Sequence, residues 1–63
     1  MIWIVFTPSG PHEVQAGSYE GAMGAWKERL RERLDYGHIT HRQFREQWPT
    51  GAELAPREAR KQG

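Results

Sequence analysis

The side chains best suited to chemistry in this chain of 63 residues are His12, His38 and His41, the hydroxyls of Ser9 and Ser18, and eight carboxylates. His38 and His41 stand three residues apart, with Asp35 and Glu46 within reach along the chain. A protein site for a divalent metal needs at least three converging donors, and two turn histidines do not supply them, so no metal is expected. Ser9 and Ser18 sit among turn and cap residues, with no base spaced to activate either hydroxyl. Glu28 and Glu32 share a helix face, but Arg29 and Arg31 beside them make surface ion pairs the simpler reading. Ser9-Gly10 lacks the Gly-Lys-Ser/Thr continuation of a phosphate loop. The chain has no cysteine, which excludes disulfides and thiolate ligands and suits a reducing compartment. The expectation is a non-catalytic protein with no catalytic residue and no cofactor.

Binding chemistry is better represented. The nine Lys and Arg residues all fall at positions 27–63, against two of the eight acids before that point. Lys27, Arg31, Arg42 and Arg45 would form one basic surface if two helices fold side by side, with Arg57, Arg60 and Lys61 adding to it. Such a surface could meet a nucleic acid groove. Glu28, Glu32, Asp35, Glu46 and Glu58 are interspersed, however, and would repel phosphates. Net charge is only +1, and mixed signs of this kind mark a solvated helix face. Nucleic acid is therefore the second choice of partner. Trp3, Trp26 and Trp48 are a heavy aromatic load for this length, and an exposed tryptophan is a common binding anchor.

One element has to position all of these. At 100° per residue, Tyr19, Ala22, Met23, Trp26, Leu30 and Leu34 fall within about a third of a turn, which predicts an amphipathic helix over Ser18–Tyr36. Ser18 suits the N-cap, Glu20 the positive end of the dipole, and the arginines at 29, 31 and 33 the negative end. Gly37 suits the left-handed residue that ends a helix. Gly21 and Gly24 lie away from the apolar stripe. They mark either a face that a partner backbone approaches closely or an unoptimised stretch of helix.

Before the helix, Ile2–Thr7 and His12–Ala16 read as strands. With Pro8 and Ser9 in a type I turn and Gly10 in the left-handed position after it, the loop has three residues. Phe6 then faces His12, Ile4 faces Val14 and Ile2 faces Ala16. Ile2, Ile4, Phe6, Val14 and Ala16 form the floor under the helix, and Trp3, Val5, Glu13 and Gln15 face the other way. One helix covers only one side of a sheet. Trp3 and Val5 are thus either a docking site or covered by the second helix or Leu54.

After the helix, Thr40 with Gln43 has the spacing of a capping box, and Ile39 with Phe44 that of a hydrophobic staple. Together they predict a short helix over His41–Trp48, stopped by Pro49. Residues 50–63 read as a loosely ordered tail, with Leu54 the last large apolar residue and a turn of helix from Pro56 the alternative. Within this region Gly37, Ile39, Thr40 and Phe44 follow the pattern Gly-x-Ile-Thr-x-x-x-Phe. The stretch Leu30–Phe44 thereby resembles the short C-terminal domain family called SHOCT, a helical hairpin. That resemblance implies a role in interaction or oligomerisation. Family members usually continue with an apolar second helix, where this chain has Pro49, and the N-terminal hairpin lies outside the resemblance.

The sequence thus predicts a single α+β domain over residues 1–49, in the order ββαα, followed by a tail. No apolar run approaches the roughly 20 residues of a membrane span, and Met1–Phe6 lacks the flank and length of a secretion signal. A cytoplasmic protein with a protein partner, from the host or a second copy paired through the first strand, is the expectation. The partner-binding residues would be Trp3, Val5, Gly21 and Gly24. Chains this compact occur among phage and mobile-element accessory proteins that inhibit host machinery, CRISPR systems included, and the analogy suggests a stoichiometric inhibitor.

Overall fold

Two strands open the chain: β1 over Ile2–Thr7 and β2 over Gly10–Gln15. A computed structural model describes residues 1–56. The hairpin loop has two residues, Pro8 and Ser9, because Thr7 pairs with Gly10. The Thr7 side chain holds the turn: its Oγ1 donates to the Gly10 carbonyl at 2.8 Å and accepts from the Ser9 amide at 3.2 Å. Gly10 adopts φ 124°, a conformation that L side chains rarely take.

That short loop settles the register, and with it the two faces of β1. Trp3 pairs with Val14, Ile4 with Glu13, Val5 with His12 and Phe6 with Pro11. A shift of one residue moves every side chain of a strand to the opposite face. The face assignment expected for β1 is therefore reversed. Trp3 and Val5 look toward the helix, while Ile2, Ile4 and Phe6 look away from it. Val14 of β2 and Ala16 just after it keep the inward orientation that the pattern implies, and both belong to the core or pack on it.

The fold is α+β, with the hairpin followed by a long and a short helix. Helix α1 spans Tyr19–Asp35. Ser18 caps it, its Oγ accepting from the Gly21 amide at 3.0 Å. At the far end the His38 amide donates to the Arg33 carbonyl at 2.8 Å and the Gly37 amide to that of Leu34 at 3.1 Å. With Gly37 at φ 75°, this is a Schellman stop. Helix α2 spans His41–Glu46, two residues shorter than expected. Its capping box is complete: the Gln43 amide donates to Thr40 Oγ1 at 3.1 Å, and the Thr40 amide to Gln43 Oε1 at 2.9 Å.

The expected tail is corrected by a third strand. β3, Gly51–Leu54, runs antiparallel to β1 and places Leu54 opposite Trp3 and Ala52 opposite Val5. The sheet order is β2-β1-β3. The boundary expected at residue 50 consequently does not divide the fold. The Thr50 amide donates to the Phe6 carbonyl at 2.8 Å, the Ala55 amide to that of Ile2 at 2.9 Å, and Ala55 is buried. The rest of the expected tail, including a helical turn running on from Pro56, lies outside the described residues.

The core is the cluster Val5, Val14, Ala22, Trp26 and Leu30, with Trp3, Ile39, Phe44, Trp48 and Ala52 packed around it. Trp26 locks the layers. Its Nε1–H donates to the Gln47 carbonyl at 2.7 Å, and His12 stacks on its ring at 4.6 Å and 19°. A buried indole that keeps its hydrogen bond contributes area without a desolvation penalty. Phe44 and Trp48 lie 5.3 Å apart, with Lys27 Nζ 5.2 Å from the Trp48 ring. Ending the chain after Thr50 should remove most of the roughly 3–5 kcal/mol that a core this size supplies, because it strips β1 of one of its two ladders and uncovers Val5. Urea denaturation checks this; an unchanged midpoint would restore the tail reading.

Candidate protein-binding face

The surface that stands out is the side of the sheet away from the helices. β1 is the central strand, so Ile2, Ile4 and Phe6 run down the middle of that side. In an antiparallel pair, directly opposed residues share a face. Ile2 therefore lies beside Gln15, Ile4 between Glu13 and Glu53, and Phe6 between Pro11 and Gly51. Ile2 and Ile4 are half-buried by their neighbours and Phe6 is 38% exposed. No helix among the described residues packs there. Helix α1 covers the other side, and Phe44 and Trp48, in and just after α2, join the core on that side too.

The residues expected to bind a partner distribute differently. Val5 has no accessible surface and stands at the centre of the core, so it cannot dock a partner in this fold. Trp3 is half-buried against the core, edge-on to Tyr19 at 6.4 Å and 74°. Its Nε1 is buried without a hydrogen-bond partner among the described residues. Neither belongs to the open face, because the two-residue loop turned them inward. Pairing of β1 with a second copy is also ruled out, since β2 and β3 occupy both its edges. The two glycines separate. A Cβ on Gly21 would lie 3.2 Å from Ser18 Oγ and 3.6 Å from Ala16 Cβ, whereas one on Gly24 would meet nothing within 4 Å. Gly21 thus makes room for the cap, and Gly24 has no such reason.

Among the described residues two of the expected basic side chains are engaged. Arg42 pairs with Glu46 at 3.2 Å along α2, and Lys27 lies against Trp48. Arg31 and Arg45 are exposed. Arg57, Arg60 and Lys61 lie outside the described residues. The SHOCT-like residues all serve local structure here: Gly37 and Thr40 cap the two helices, and Ile39 and Phe44 pack on the core. Among the described residues no three His, Asp or Glu side chains converge on a metal position, no pocket opens, and no helix is long and apolar enough to cross a membrane. No protein-family model, curated protein or solved structure matches this chain.

The side of the sheet away from the helix carries Ile2, Ile4 and Phe6 where Trp3 and Val5 were expected. Both alternating sets of β1 are apolar, so hydropathy alone could not choose between them. The usable signals were Gly10, which can close a two-residue loop, and Pro11, which a sheet edge tolerates. The geometry at the glycines gives a direct check. Gly24→Ala should stabilise the chain by about 0.5–1 kcal/mol through helix propensity, and Gly21→Ala by clearly less because its methyl crowds the cap. Thermal unfolding of the two variants decides; equal gains would mean that the cap contact is immaterial.

Proposed function

We propose that this chain is a non-catalytic protein-binding module that docks its partner on the open face of the sheet. The observation that carries the reading is the stripe Ile2, Ile4 and Phe6 on a central strand with nothing among the described residues laid over it. A two-layer domain normally turns polar side chains outward from the uncovered side of its sheet. Here the middle strand keeps three large apolar residues there, and contiguous exposed apolar surface marks interaction sites. The small size and the analogy with phage and mobile-element accessory proteins fit a stoichiometric inhibitor of a host protein complex.

Binding nucleic acid through the helical face is the weaker reading. Arg42 and Lys27 are already engaged, and the acidic residues between them weaken any pull on phosphates.

The two faces of β1 should respond to mutation in opposite ways. Ile4→Lys should leave the circular dichroism spectrum and the urea midpoint close to wild type while abolishing capture of the partner from host extract. Trp3→Ala should cost about 2–4 kcal/mol of stability by opening a hole beside the core. If Trp3→Ala stays folded and loses the partner while Ile4→Lys retains it, the docking face is on the helix side and the proposal is wrong.

A further inference from the structure

The open face carries a charge pattern that narrows its occupant. The register sets Ile4 between Glu13 on β2 and Glu53 on β3, so one glutamate flanks the apolar stripe on each side. The three strands contain no Lys or Arg, whereas the two helices hold six. Resting on the docking function proposed above, we infer that the face receives a basic amphipathic helix from a protein partner. The helix lays apolar residues along Ile2, Ile4 and Phe6, and its flanking Lys or Arg side chains meet Glu13 and Glu53.

The dimensions suit a helix. Alternate residues of a strand repeat at about 6.8 Å, so the stripe from Ile2 to Phe6 spans about 14 Å. Residues i to i+11 of a helix span about 16 Å, and three turns cover the stripe. The glutamates sit one strand spacing to either side, about 4.8 Å away, under the flanks of a helix about 10 Å wide. Other occupants fit less well. In a second copy packed face to face with its strands aligned, Glu13 and Glu53 would oppose Glu13 or Glu53, and like charges so placed disfavour the contact. Residues 57–63 of this chain are basic but contain no large apolar side chain. Nucleic acid would meet two carboxylates.

The test is a selection on the full chain. A displayed library of helix-forming peptides holds Leu at i, i+4, i+7 and i+11 and randomises the positions on either flank. Lys and Arg should be enriched over Asp and Glu at the flanks by about tenfold, the scale of two rim ion pairs. The preference should vanish on Glu13→Gln with Glu53→Gln and invert on Glu13→Lys with Glu53→Lys, each with wild-type circular dichroism. Ile4→Lys should capture no peptide. Peptides that need Ile4 but show no flank preference, or an acidic one, overturn the basic helix while leaving docking on this face intact. Capture that ignores Ile4 overturns both. A dimer in light scattering that Ile4→Lys dissolves puts a second copy on the face and overturns the basic helix as well.

Discussion

The structure depends on the pairing of Thr7 with Gly10. By closing the hairpin over only Pro8 and Ser9, it sets Val5 opposite His12 and sends Val5 into the core beside Leu30, both without accessible surface. Burial of one such side chain stabilises a domain by about 1.5–3 kcal/mol, a large share for a chain this small. With one residue more in the loop, Ile4 would take that place and Val5 would face outward. The contacts of Thr7 Oγ1 and the positive φ of Gly10 favour the shorter loop, and the Ser9 amide, donating to the Glu46 carbonyl at 3.0 Å, ties it to the end of α2.

A central strand has no free edge, so no further strand can be added to β1. The helix layer takes Trp3 and Val5. Ile2, Ile4 and Phe6 are left on the uncovered side, with Glu13 and Glu53 flanking Ile4. The same register places Trp3 between Val14 and Leu54 and closes off the Nε1 donor, the one buried side-chain polar group without a partner among the described residues.

Elements governed by local rules were legible in the sequence. The Ser18 cap, the Gly37 stop and the Thr40–Gln43 box all form with the atoms that their spacing implies. Each depends on residues within five positions of one another, where backbone geometry leaves little choice. Two features governed by distant contacts were not legible. β3 is Gly-Ala-Glu-Leu, a poor strand by composition; it forms because β1 offers an unpaired ladder and Trp3 and Val5 need cover, so tertiary context overrides propensity. The outward face of β1 was hidden because Ile2, Ile4 and Phe6 are as apolar as Trp3 and Val5. The candidate site was therefore half readable: its existence followed from one helix covering one side, its membership from a turn that hydropathy does not encode.

The facing of β1 is open to one direct measurement. The chain has no cysteine, so Val5→Cys, Ile4→Cys and Phe6→Cys each introduce a single thiol, and the rate of its reaction with a small reagent reports access. The register described here has the thiol at Phe6 reacting fastest, that at Ile4 next, and that at Val5 only as fast as the domain opens. A Val5 thiol that reacts faster than the other two in the folded protein would contradict it.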